Sequence, residues 1–367
     1  MKYKFIDLFC GLGGFRIGFE RNGYDCVFSS DVDKNIQLTY KENFGEEPFG
    51  DITKIDPKKM PYFDVLVGGF PCQPFSISGK KKGFADTRGT LFLDVCRIIK
   101  EKNPKVVLLE NVKHFIHHNS GRTISVVLDS LQELGYDKIS YKILNLKDFA
   151  LPQNRERIFI VASKSKSFDF DQMKLTKSKP LESFLDKEGD FEYLEKSSYT
   201  ILDDKNVVLQ PSGLKFVGYR NKRGFRYGIR PNTEHLNRVH RQPNRIYSVE
   251  GYHPTIPSQE TSGRFFIYLP KEDRVRKLTI NECFKIMGFD EDYKKVSTPG
   301  QLYKQIGNSV GTTVVSELAR QILDQGMLNE DEAQKEIKRD LSKVVNKQTH
   351  PALYLLAVKK QVKTNVT

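Results

Sequence analysis

The sequence predicts an α/β protein, with a doubly wound, mostly parallel sheet followed by a second, smaller, β-rich domain. Three observations lead there. Strand-length apolar runs recur between residues 3 and about 163, separated by segments of helical length and pattern. From about residue 171 the texture shifts to short β-prone pieces set among Gly, Pro and Asn. Near the end a strong helical pattern returns.

Taken in order, KFIDLF is the first strand, and FRIGFERNG is a helix stopped by glycine. CVFSS is the second strand. NIQLTYKENFG is the second helix, with Asp33 as its expected cap. FDVLV, VVLLEN and IFIVAS read as strands covered on both faces, with TLFLDVCRIIKEKN and TISVVLDSLQELG as helices among them. KSKSFDFDQMKLTKSKP is polar and reads as a linker, and RIYSV and RFFIYL are short strands beyond it. GNSVGTTVVSELARQIL sets Val310, Val314, Leu318 and Ile322 on related helix faces, with Asn308 and Ser309 as expected N-caps. The expected division is a first domain over 1–170, completed by 303–326, a smaller domain over 171–302, and a charged extension over 327–367.

The chain has 367 residues, 38% of them hydrophobic, enough for a substantial core. Its five cysteines (Cys10, Cys26, Cys72, Cys96 and Cys283) follow no disulfide or zinc spacing. Seven histidines show no ligand spacing either; His117 and His118 are adjacent and cannot share a helix face, so no metal is expected. No stretch approaches the roughly 20 apolar residues of a membrane helix, and MKYKFIDLFCG is too short in apolar residues for a signal peptide. A soluble, cytoplasmic protein without a membrane partner is expected. The net charge of +13 favours a polyanion such as nucleic acid. Between Lys215 and Arg245 nine Lys or Arg accompany a single acid, Glu234, with Phe216, Tyr219, Phe225 and Tyr227 interleaved. That mixture points to a phosphate-contacting surface.

The first strand runs into DLFCGLGGF, a glycine turn that lets a ligand approach the backbone. The dinucleotide fingerprint needs a sixth-position glycine where Arg16 stands, which weakens an NAD reading and leaves room for a nucleoside without a pyrophosphate. Asp31 follows the second strand, where an acid can hold ribose hydroxyls, and GDIT follows the next helix. GGFPCQPFS places Cys72 just past a buried strand, VVLLEN ends in Glu110 and Asn111, and QNRERIF should project Arg155 and Arg157 together. A thiol, an acid and two guanidiniums thus converge on one sheet edge.

In this order DLFCGLGGF, GGFPCQPFS, ENV, QNRERIF and YKQIGNSV resemble the motif series of the DNA (cytosine-5)-methyltransferases, closest to the small bacterial restriction–modification enzymes. The resemblance covers roughly residues 4–326. It implies a Rossmann-like fold using S-adenosylmethionine, with the smaller domain recognising the target in double-stranded DNA. It further implies that Cys72 attacks C6 of a flipped cytosine, Glu110 holds N3 and N4, Arg157 contacts O2, and Arg155 holds the phosphate and catalytic loop. Phe9, Gly11, Leu12, Gly14, Asp31 and Val32 would line the cofactor pocket with Asp51, Ile52, Pro71, Leu91 and Asn308. Where the family usually has Glu followed by a large aromatic, this chain has Asp31 and Val32.

By the same resemblance SISGKKKGFADTRGTLF is the mobile active-site loop, whose Ser76, Ser78, Lys80, Lys82 and Arg88 would meet DNA. QPNRIYSVEGYHPTI would supply Gln242 to fill the vacated stack, Arg245 to read guanine and Thr255 to brace the loop. A monomer is expected, with a cognate restriction endonuclease acting on the same site. The alternatives are a tRNA cytosine-5 methyltransferase of the same fold, a non-catalytic binding protein, and an NAD-dependent oxidoreductase. The retained Cys72 and Glu110 count against the second, and Arg16 against the third.

Overall fold

The computed structural model describes residues 2–71, 90–221, 233–258 and 266–329. β1 (Lys4–Leu8), β2 (Asp25–Ser30), β3 (Val65–Gly69) and β4 (Val106–Val112) run parallel in the order β2–β1–β3–β4. The intervening helices are α1 (Gly14–Glu20), α2 (Lys34–Phe44) and α3 (Leu91–Lys102). α4 (Arg122–Glu133) leads to β5 (Lys138–Asn145), and the short β6 (Gln153–Asn154) precedes β7 (Glu156–Ser163). β7 inserts between β4 and β5, antiparallel to both.

Alternate residues of the central strands enter opposite cores. Val65, Val67, Val106, Leu108, Phe159 and Val161 lie on one face with Phe15 and Phe19 of α1. Leu66, Val107, Leu109, Ile158 and Ile160 lie on the other with Phe92 of α3 and Val127 of α4. Period-two burial on both faces is what doubly wound strands require. Asp33 caps α2 as expected, accepting a hydrogen bond from the Asn35 amide.

A second sheet contains β8 (Tyr199–Ile201), β9 (Phe216–Arg220), β10 (Arg245–Ser248), β12 (Phe266–Leu269) and β13 (Arg274–Lys277), in the order β13–β12–β10–β9–β8. Only the β10–β12 pairing is parallel. β11 (His253–Pro254) leaves this sheet and pairs with β6. The chain then returns through α5 (Ile280–Lys285), α6 (Pro299–Asn308) and α7 (Thr312–Asp324), with Val314, Val315, Leu318 and Ile322 of α7 in the core that holds α1.

The structure adds two features and corrects two expectations. β5 was not foreseen: it is a sheet edge whose residues are mostly exposed or half-buried, so its apolar signal is weak. IFIVAS belongs to an antiparallel strand. The stretch read as a linker lies against the first core, burying Phe168, Phe170 and Met173. Asn308 ends α6 and caps nothing; Gly311 precedes α7.

Candidate active site

The reversed direction of β7 builds the site. Its first residues lie at the carboxyl ends of the parallel strands, with Arg157 opposite Val112 and Gly69 of β3 beside Glu110. Arg157 Nε stands 3.1 Å from Glu110 Oε1, and the two side chains are only 15% and 13% exposed. Arg157 Nη1 also donates to the Glu156 carbonyl. Burial raises the Glu110 pKa above the ordinary carboxylate value, against the lowering pull of Arg157 and then Arg155. Burial lowers that of Arg157, and Glu110 opposes the change. Glu110 is therefore a buried carboxyl held in a fixed place at the sheet edge by Arg157.

β3 delivers the segment that leads to the thiol. A side-chain carbon on Gly69 would lie 3.1 Å from Glu110 Oε2, so the backbone passes directly beside the carboxylate. The buried Asn111 amide donates to the Phe70 carbonyl at 2.8 Å, and its Oδ1 accepts from the Val112 amide. The Phe70 ring packs against Phe92 and Phe115 at 5.2 and 5.5 Å. The chain is thus pinned one residue before Pro71 and two before Cys72. Cys72, Ser76, Ser78, Lys80, Lys82 and Arg88 lie outside the described residues. The anchoring by Asn111 was missed from the sequence, where its only signal was a polar residue after Glu110 in an otherwise apolar strand.

Arg155 departs from expectation. It falls in the break between β6 and β7, and its hydrogen bonds go to other groups than those of Arg157, although its charge still reaches Glu110. It is 2% exposed; Nη1 donates to the Ile256 carbonyl at 3.2 Å, and Nη2 to those of Gly307 and Ser309 at 2.8 and 2.7 Å. A guanidinium committed to three buried carbonyls braces the backbone around the site. The strand alternation used to pair it with Arg157 fails because the strand starts one residue later.

The glycine turn meets the second strand through one acid. Asp31 Oδ2 accepts from the Gly11 amide and Oδ1 from the Asp33 amide, each at 3.0 Å, and burial raises the Asp31 pKa. Phe9 and Gly11 both adopt positive φ, 58° and 52°, turning the backbone sharply here. Leu12 is buried, while Val32 is 71% exposed beside Asp31. The Asp31 amide donates to the Phe49 carbonyl, so residues 49–52 run alongside. There Asp51 Oδ1 accepts from the Thr53 amide and hydroxyl, and Ile52 is buried. Arg97 of α3 donates to the Ile52 carbonyl, tying the helix that Leu91 opens to this strip. Gly14 abuts Val310, two residues past the exposed Asn308.

On the second sheet Gln242 is exposed in the turn before β10, and Arg245 Nε donates to the His240 carbonyl at 3.1 Å. Thr255 Oγ1 donates to the Asn154 carbonyl at 2.8 Å. Among the described residues no group of three or more His, Cys, Asp or Glu could hold a metal, and no helix is long and apolar enough to cross a membrane.

Comparison with known proteins places the chain in a family. The chain is 39% identical over 329 residues to the Type II methyltransferase M.HhaI of Haemophilus parahaemolyticus, covering 87% of this chain and 94% of that protein. It is 40% identical over 325 residues to the Type II methyltransferase M1.ScrFI of Lactococcus lactis subsp. cremoris, covering 88% and 78%. The fold matches the crystal structure of the S. pombe Dnmt2 methyltransferase with a TM-score of 0.64 at 20% identity, covering 89% of this chain and 100% of that one. The family model of the C-5 cytosine-specific DNA methylases matches residues 3–324. With that match over nearly the whole described chain, and with relatives near 40% identity, the protein belongs to the C-5 cytosine-specific DNA methylases.

Proposed function

We propose that this enzyme flips a cytosine out of a specific duplex sequence and methylates C5 through a covalent bond between Cys72 and C6. The observation that carries the reading is the buried Glu110–Arg157 pair beside Gly69, with Asn111 fixing the chain two residues short of Cys72. C5 of cytosine is a poor nucleophile until something adds at C6, and a thiolate does so readily. A base inside a stacked duplex presents no line of approach to that carbon, hence the flip. Glu110, its pKa raised by burial, donates a proton to N3 as negative charge builds on the ring. Arg157 holds that carboxyl in place and contacts O2. After methyl transfer a base removes the C5 proton, the C5–C6 double bond re-forms, the thiolate leaves, and N3 returns its proton to the Glu110 carboxylate.

The residues at the glycine turn fit S-adenosylmethionine. A side-chain carbon on Gly11 would meet only the Phe9 carbonyl oxygen, at 4.0 Å, so open space borders bare backbone. Asp31 beside it can accept from ribose hydroxyls with lone pairs its two amide donors do not use. The exposed Val32 offers an apolar surface next to it. Bound there, S-adenosylmethionine supplies an electrophilic methyl group. Phe9, Gly11, Leu12, Gly14 and Asp31 would hold it with Asp51, Ile52, Pro71, Leu91 and Asn308.

Residues 171–302 act as the target-recognition domain, supported by the separate five-stranded sheet and the basic stretch within it. Two of its relatives are named Type II methyltransferases, which supports a role as the modification enzyme of a restriction–modification system. Duplex carrying 5-fluorocytosine at the target tests the mechanism. Thiol addition and methyl transfer both proceed, but fluorine cannot leave as a cation, so the adduct should persist on denaturing gels. Its formation should require S-adenosylmethionine and vanish in Cys72→Ser. An adduct that survives that substitution, or maps to another residue, refutes the mechanism.

A further inference from the structure

The segment 252–257, just after β10, is docked onto residues 152–155 by a dense set of bonds. The His253 amide donates to the Pro152 carbonyl at 2.7 Å, and Thr255 Oγ1 to Asn154. Ile256 is gripped at both ends of its backbone: its amide donates to Gln153 Oε1 at 3.2 Å, and its carbonyl accepts from Arg155 Nη1. The other terminal nitrogen of Arg155 reaches a different part of the chain, the carbonyls of Gly307 and Ser309 where α6 ends. The two parts also touch directly. A side-chain carbon on Gly307 would lie 2.3 Å from the Pro257 carbonyl oxygen, so backbone rests on backbone with no side chain between. One buried guanidinium therefore ties the segment leaving the second sheet to the turn that carries Asn308.

We infer that Arg155 is a positioning residue that couples DNA recognition to binding of the methyl donor. The inference rests on the cofactor and recognition assignments above. Ile256 follows the stretch that carries Arg245 and Thr255, so seating of DNA acts on one side of the guanidinium. Asn308 stands between the two carbonyls on the other side, so seating of the donor acts there. Neither side can shift alone, because moving either leaves a buried charge or carbonyl without its partner. Each ligand then selects the same placement of Arg155, and by linkage each tightens the other by an equal factor. Lysine preserves the charge but not the planar fork that spans two segments at once.

Calorimetry with S-adenosylhomocysteine as the probe tests this, with the protein alone and saturated with a duplex bearing the target found by bisulfite sequencing. In the wild type the duplex should tighten the probe by about tenfold, within the usual range of site-to-site coupling. In Arg155→Lys the ratio should fall to near one, with the affinity of the DNA-free protein changed by less than about threefold. Gly307→Ala, which keeps the Arg155 side chain but forces Pro257 away from the backbone that accepts its bond, should lower the ratio too, and it carries the comparison if Arg155→Lys does not fold. A wild type that fails to bind the probe refutes the cofactor assignment and this inference together. Binding without coupling, or coupling undiminished in the folded variants, overturns the inference alone.

Discussion

Arg157 Nε lies 3.1 Å from Glu110 Oε1, in a pair that exists because an antiparallel strand starts where a parallel one ends. Removing one partner of a buried pair costs about 3–5 kcal/mol, since the other charge is left unpaired. In Arg157→Ala, Glu110 loses the stronger of its two lowering influences, so its pKa should rise further. For an acid with a raised folded-state pKa, the contribution to stability is present below the ordinary value of 4.5 and lost as pH climbs through the raised one. Thermal melts should therefore show a larger loss relative to wild type at pH 8 than at pH 5. An equal loss at both would mean that Glu110 does not feel Arg157.

Glu110→Gln keeps the shape of the carboxyl and removes its proton chemistry. Methyl transfer should drop by about 10²–10⁴-fold, with DNA and S-adenosylhomocysteine affinities close to wild type. Single-turnover assays with tritiated donor measure the first and calorimetry the second. Near-normal turnover would make Glu110 a structural residue.

Asn111→Ala leaves the Phe70 carbonyl without its donor and should destabilise the fold by about 1–3 kcal/mol. The segment before Cys72 loses its anchor, so the methyl-transfer rate should fall while donor affinity changes little. A variant that melts early yet turns over at the wild-type rate would show that the bond serves stability alone.

Duplex binding should weaken steeply with salt through the Lys and Arg side chains between residues 215 and 245. With about six phosphate contacts, the slope of log affinity against log salt should be near −5. Fluorescence anisotropy across a salt series reads it directly. A slope near zero would take this region out of the DNA interface.

Much of this protein was legible in its sequence because it depends on neighbours along one strand or helix. β1, β3, β4 and β7 show as apolar runs because both faces of each are covered, and Glu110 stands out by interrupting one of them. β5 did not show, since an edge strand carries polar side chains that a pattern cannot tell from a loop. The buried Arg276–Glu282 pair that joins β13 to α5, with bonds of 2.8 and 2.7 Å, had no sequence signal either. Charged residues six apart read as surface until packing closes around them.

The residue types of the site and the order of its segments were set along the chain. Which guanidinium meets the carboxylate was decided only by tertiary structure. Arg155 and Arg157 are two apart in a stretch that reads as one strand, yet the strand begins at Glu156. That one-residue difference sends Arg157 to Glu110 and Arg155 to carbonyls about 100 and 150 residues away. Strand pairing and the meeting of distant backbone segments depend on contacts that no local period encodes.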